Sequence, residues 1–178
     1  MIITVGGQAA SGKTTLAKAL AKKLGLKHVS AGQIMRDMAR EKGMGLLDFS
    51  RYAEGHPEVD REIDARQATQ AKGDCVVDGR LSRYFLKPDL SIWLVAPLQV
   101  RASRVQDRGE KYADIEESKG DVLARDGSER KRYLQYYGID LFDLSTYDLV
   151  INTGRFDIAQ MTEVALLAAG SLRGRTNQ

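Results

Sequence analysis

The sequence predicts an α/β chain: a three-layer α/β/α sandwich around a five-stranded parallel sheet, interrupted by two helical inserts. Three observations carry this. Short runs of β-branched residues alternate with amphipathic helical segments, the pattern of a parallel sheet covered on both faces. The first such run leads straight into the glycine-rich octet GQAASGKT and then a helix. The alternation fails only over about residues 31–71 and 109–140, which read as helical inserts on a core of 1–30, 72–108 and 141–178.

Residues 2–5, IITV, form a buried strand ending at Gly6-Gly7. In residues 13–24, Leu16, Ala17, Leu20, Ala21 and Leu24 recur at helical spacing, and Gly25 closes the helix. A strand at 27–29 follows, then Ser30 as N-cap of a helix reaching about residue 41. Two more helices occupy 46–54 and 57–71, the second opened by Pro57. Strands at 74–77 and 90–95 follow, and Pro97 opens a helix carrying Arg101, Arg104 and Arg108 on one face. Residues 110–138 are mostly polar with a weak helical pattern; a strand at 148–151 and an amphipathic helix at 157–169 complete the chain.

Composition narrows the class. The chain has 178 residues, 43% hydrophobic and 29% charged, with a net charge of +3 that is well mixed along the sequence. That suits one compact domain and lacks the concentrated basic face of a nucleic-acid binder. Cys75 is the only cysteine and sits in the apolar run CVVD, so no intramolecular disulfide forms and a buried thiol in a reducing compartment is expected. MIITVGG has neither a basic n-region nor a long apolar run, so neither a leader nor a membrane span is expected, and a soluble, cytoplasmic protein is.

GQAASGKT matches G-x-x-x-x-G-K-[ST] without a mismatch and has the strand before it and helix after it that the motif requires. Glycines permit the tight turn, and backbone N–H groups together with the helix N-terminus attract phosphate. Gly7, Gln8, Ala9, Ala10, Ser11, Gly12, Lys13, Thr14 and Thr15 are therefore the expected cradle for a nucleoside triphosphate. Lys13 reaches the β- and γ-phosphates and Thr14 ligates Mg²⁺. Ala9-Ala10 contribute only backbone and are expected to carry no cost. An N-K-x-D guanine motif is absent, since Asn152-Thr153-Gly154-Arg155 does not fit it, and so is L-S-G-G. Both absences argue against a GTPase switch and a transporter ATPase, and small kinases remain.

Beyond the octet, the segments SAGQIMRDMA, EGHPEVDREIDARQ, VVDGRLSRY, APLQVRASR, RDGSERKRYLQYYGID and DLSTYDLVINT resemble, nearly end to end, a nucleoside monophosphate kinase, most closely a cytidylate kinase of the archaeal type. The resemblance implies transfer of the ATP γ-phosphoryl group to CMP or dCMP by a monomer. It implies that the first insert covers the acceptor and the second acts as a lid. Asp78 would organise Mg²⁺ waters, and Arg80, beside Gly79, would fork onto the acceptor phosphate. Arg36 falls at the position that grips the monophosphate, behind Ser30 and Gly32. Arg104 and Arg108 match a pair that packs adenine and clamps the transferring phosphate, and the Asn152-Thr153 turn lies beside adenine. Arg125, Glu129 and Arg132 match an arginine–acid–arginine triplet whose arginines approach phosphates and whose acid approaches ribose or base.

Plainer readings stand beside these. Arg36 and Arg80 also fit solvated positions, Arg104 and Arg108 can pair with Asp107 or Glu110, and Arg61 with Asp64 fits a surface pair. Asp64 and Gln67 share the third insert helix and are candidates for base or ribose recognition. Arg130 and Lys131 read as surface charges, and His28 as structural. Lys13, Arg80, Arg104, Arg125 and Arg132 are the expected catalytic cations, and Arg132→Ala is expected to lower turnover with little effect on folding. A kinase for AMP, UMP or a hydroxylated metabolite remains an alternative, the last with Asp78 as base. A regulatory or RNA-associated nucleotide-binding protein is a further one.

Overall fold

The computed structural model describes residues 1–107 and 112–173. Five parallel strands, β1 (Ile2–Gly7), β2 (Lys27–Ser30), β3 (Cys75–Asp78), β4 (Leu90–Val95) and β5 (Leu149–Asn152), form one sheet in the order β2-β3-β1-β4-β5. The hydrophobic run of β1 is buried on both sides because it is the central strand, with Val5 level with Asp78 of β3 and Gly7 with Leu94 of β4. The loops after β1 and β3 therefore leave the same sheet edge side by side, at the carboxyl ends where open α/β sheets bind ligands.

Helix α1 (Lys13–Leu24) and α8 (Ile158–Arg173) cover one face, where Leu16, Leu20, Met161 and Ala165 pack on Ile3, Val5, Ile92 and Leu94. On the other face Trp93 packs with Leu81, Tyr133, Leu141 and Tyr147. Between β2 and β3 lie α2 (Ala31–Glu41), α3 (Leu46–Glu54) and α4 (Pro57–Gln70), with a core of their own built on Ile34, Met38, Phe49, Val59 and Ile63. Ser30 caps α2 as expected, its hydroxyl accepting from the Gln33 amide at 3.2 Å. Cys75 is buried, and burial raises its thiol pKa.

One region is more regular than its weak pattern suggests, and two short elements are not expected from the sequence. The weakly patterned region 110–138 holds one long helix, α7 (Ile115–Tyr137), started by the Asp114 side chain and ended by left-handed Gly138. Its buried stripe contains Ser118 and Arg132 beside Val122 and Tyr133, so a purely apolar pattern is missing from the sequence. A five-residue helix α5 (Ser82–Leu86) and a 3-10 turn (Leu144–Thr146) are too short to give a period, while α6 (Leu98–Gln106) starts after Pro97 as expected. No described helix is long and apolar enough to cross a membrane.

Candidate active site

The donor loop is built at the end of β1. Gly7 has φ of 147°, and a Cβ there would stand 2.5 Å from the Leu94 carbonyl oxygen and 2.7 Å from Ser11 Oγ, so only glycine fits the turn. Gly12 at φ 97° then sets the first turn of α1. Ala10 also sits in left-handed backbone, at φ 56°, so the expectation of a cost-free Ala9-Ala10 pair fails at Ala10. For Ala10 the Cβ–carbonyl crowding costs about 1–2 kcal/mol. Lys13 Nζ lies across the loop, donating to the Gly7 and Gln8 carbonyls at 3.0 and 2.8 Å. Gln8 itself accepts from the Ala96 amide at 3.1 Å.

The turn after β5 is stapled to this loop. The Thr153 hydroxyl donates to Ser11 O at 2.9 Å, while Arg104 donates to the Thr153 hydroxyl at 2.8 Å and its carbonyl at 2.7 Å. Arg104, Gly12, Ser11 and Thr15 line a cleft of about 340 Å³ together with Asp107, Phe156, Ile158 and Met161. Asn152 is exposed, its side chain closing the turn onto the Gly154 amide at 3.0 Å. Phe156 was not singled out in the sequence; its signal is a lone aromatic in a turn of small and polar residues. Arg108 lies outside the described residues.

Asp78 is the hub between the loops. Its Oδ2 accepts from Thr14 Oγ1 at 2.8 Å and from Ser30 Oγ at 3.1 Å, and its Oδ1 is 2.6 Å from His28 Nε2. One buried carboxylate thus joins the ends of β2 and β3 to the start of α1. His28, read as structural from sequence, belongs to this hub. Alternation on β2 places it on the same side as Ser30, two residues on, which is the signal that could have found it.

A second cleft of about 220 Å³ opens beside Lys13 and Thr14. Gly32, Arg36, Asp64, Gln67, Asp78, Gly79, Arg80, Arg125 and Glu129 all line it, with Ala31, Met35, Leu46 and Ile63 as apolar wall. Arg80 pairs with Glu129 and, at 3.4 Å, with Asp126, both on α7. Burial pushes the Arg80 guanidinium below its ordinary pKa, against the opposing pull of Asp126. Arg125 is held by Asp121 at 2.8 Å, and exposed Arg36 by Gln33 at 2.9 Å. Arg130 sits on the surface, paired with Asp140 at 3.3 Å, and Lys131 is exposed.

Arg132 is placed differently from its triplet partners. It is 4% exposed, lies 3.5 Å from the equally buried Asp60, and does not line the cleft. The spacing correctly put it on the inner side of α7, but that side meets two neighbours, the cleft and the α3–α4 wall. Its contacts make it a holder of Asp60, whose own carboxyl is raised by burial and lowered by Arg132. Arg132→Ala is therefore not expected to spare the fold.

On α4, Asp64 bonds the Tyr137 hydroxyl at 3.1 Å, while Arg61 is exposed. Burial pushes the Asp64 carboxyl up to about 7, with Asp60 adding repulsion and Tyr137 opposing. Gln67 is 2% exposed; its Oε1 accepts from Ser82 at 2.9 Å and its Nε2 finds no partner.

Comparison with known proteins gives this geometry a family. The model of the cytidylate kinase-like family matches residues 2–155. A cytidylate kinase of Methanocaldococcus jannaschii is 48% identical over 97% of this chain and 99% of its own. One of Pyrococcus horikoshii is 52% identical over 88% of this chain and 81% of its own. Among solved structures, a shikimate kinase of Bacteroides thetaiotaomicron superposes with a TM-score of 0.59 at 15% identity, covering 93% of this chain and 95% of the other. A gluconokinase of Sinorhizobium meliloti does so at 0.59 and 16%, covering 98% and 94%, so both share the fold alone. With a phosphate loop, a neighbouring arginine-lined cleft and relatives that match nearly from end to end, the chain belongs to the cytidylate kinase-like family.

Proposed function

We propose that this chain is an ATP-dependent (d)CMP kinase, moving the γ-phosphoryl group of ATP onto a phosphate oxygen of CMP or dCMP to give ADP and CDP or dCDP. The observation that carries this reading is the shared wall of the two sites: Lys13 and Thr14 of the donor loop line the same cleft as Gly79 and Arg80. A phosphate held by Arg80 would stand next to one held by the loop. The full-length cytidylate kinase relatives supply the acceptor's name.

The acceptor phosphate is already an anion near neutral pH, so no general base is needed. The protein's work is positioning and charge neutralisation. Lys13 serves the bridging oxygens of the donor, Arg80 and Arg36 the acceptor phosphate, and Arg104 and Arg125 the group in flight. Arg108 keeps the donor-side role its resemblance implies. Arg132 is assigned to Asp60 rather than to phosphate. The Thr14 hydroxyl and Asp78 carboxylate, 2.8 Å apart, are the hard oxygen donors that suit Mg²⁺, directly or through water. Mg²⁺ there would neutralise phosphate charge.

Base recognition falls to α4. Asp64 and Gln67 lie one turn apart on one face, offering an acceptor and an unpartnered buried donor. Cytosine presents the reverse, an exocyclic amine donor next to an acceptor nitrogen, whereas uracil presents a carbonyl where the amine would be. We place the acceptor-binding insert at about 31–71, the lid at about 109–140 and the core in the remainder. A reducing cytoplasm fits the lone buried cysteine, and a monomer is what the family resemblance implies.

The test is a panel of acceptors with ATP and Mg²⁺: CMP, dCMP, UMP, AMP and hydroxylated metabolites. Conversion of CMP and dCMP well ahead of the rest is expected. Phosphorylation of an alcohol with no monophosphate converted would sink the reading, and slow hydrolysis stimulated by RNA but indifferent to CMP would point to a regulatory protein.

A further inference from the structure

Asp126 stands on the inner face of α7, one turn after Val122 and two after Ser118. Toward the start of the helix that stripe carries no charge: Val122 packs with Ala9 of the donor loop and Val105 of α6, and Ser118 bonds the Ala102 carbonyl at 3.4 Å. A carboxylate in such a stripe is costly unless several donors meet it. Asp126 meets three, from three segments. Oδ1 accepts from the Ala9 amide at 2.8 Å and lies 3.4 Å from Arg80 Nη2, and Oδ2 lies 2.5 Å from Arg101 Nη1. Arg101 is buried and tied to the Ala96 carbonyl at 3.1 Å, so it fixes the carboxylate from below. The donor loop and α6 thus determine where Asp126 sits, and Asp126, together with Glu129 one turn on, determines how Arg80 is turned. A surface helix anchor would need none of this convergence.

We propose that Asp126 is a positioning residue that couples the seat of α7 on the phosphate loop to the orientation of Arg80, setting donor and acceptor sides together. This rests on the reading of Arg80 as the acceptor-phosphate arginine. The coupling needs both the charge and its place. Asp126→Asn can still accept from Ala9 but removes the charge between buried Arg101 and partly buried Arg80. Asp126→Glu keeps the charge and moves it by one methylene.

The experiment measures steady-state kinetics, thermal stability, and the effect of a non-hydrolysable ATP analogue on CMP affinity, for wild type and both variants. Misplacement on the ångström scale predicts kcat lowered about 10- to 100-fold in both, with KM for ATP much less affected. The mutual effect of the two ligands on each other's affinity should fall toward none. Variants that lose thermal stability but keep wild-type kcat and ligand coupling would overturn the proposal, leaving Asp126 a helix anchor. Should Asp126→Asn not fold, Asp126→Glu decides the question by the same readouts. The wild-type acceptor panel is run first, and the variants are then assayed on whichever acceptor is converted. Failure with CMP alone overturns the proposed function and not this coupling; failure with every acceptor overturns both.

Discussion

Gly79→Ala is the most direct test of how tightly the proposed acceptor cleft is built. A Cβ at Gly79 would run into Ser82 Oγ and stand 2.8 Å from Gln67 Nε2 and 2.9 Å from Ala31 Cβ. None of these can yield freely: Ser82 is fully buried and bonded to Gln67 Oε1 at 2.9 Å, and Ala31 begins α2. Overpacking of this kind costs about 1–3 kcal/mol. Rotating Ser82 away breaks a buried hydrogen bond and adds about 1–2 kcal/mol. Urea unfolding should therefore report a loss of roughly 2–5 kcal/mol. Because Gln67 and Ala31 line the proposed acceptor cleft and none of the displaced groups belongs to the donor loop, KM for CMP should rise while KM for ATP stays near the wild-type value. A loss under about 0.5 kcal/mol with KM for CMP unchanged would mean that the cleft is looser than its contacts indicate, and the steric argument would fail.

Four further outcomes are expected. Lys13→Ala should abolish measurable turnover while leaving unfolding little changed, a loss on the order of several kcal/mol of transition-state stabilisation. Arg132→Ala should lower stability by about 3 kcal/mol because it strands buried Asp60, so a variant as stable as wild type would return Arg132 to a purely functional role. Thr153→Val removes the hydroxyl shared by Ser11 and Arg104 and should raise KM for ATP roughly 5- to 30-fold, read from initial rates at saturating CMP. For Asp64 the folded pKa, about 7, is above its unfolded value near 3.8, so the folded state holds the extra proton between them. Its contribution is fully present at low pH and is lost as pH rises from about 4 through about 7; Asp64→Asn should flatten that part of the stability profile, and an unchanged slope would refute the assignment.

Much of this was legible in the chain because backbone requirements leave strong marks. The donor loop, the Ser30 cap, the Pro57 start and the existence and order of the strands needed only local sequence, while four of the five strands run one or two residues further than expected. The face of α7 was legible too, from the spacing of Arg125, Glu129 and Arg132. What spacing cannot do is choose between two neighbours of one face, and that is why Arg132 turned out to sit against Asp60. Asp126, His28 and the Tyr137–Asp64 bond escaped for a related reason. Each takes its meaning from a partner more than 45 residues away, such as Asp78 for His28 or Ala9 for Asp126. The single long α7 was hidden because its buried stripe contains serine and arginine rather than an unbroken run of aliphatic residues.

The pairing of Val5 with Asp78 has one more consequence. The distance between the donor loop and the acceptor turn is inherited from a backbone ladder, where neighbouring strands stand about 4.8 Å apart whatever their side chains. Such a ladder has no intermediate settings. A slip of one residue would carry Asp78 about 3.3 Å along the sheet and turn it to the opposite face. Graded variation in rate or acceptor choice therefore has to come from the segments that hang on this edge, while the edge itself tolerates only one alignment.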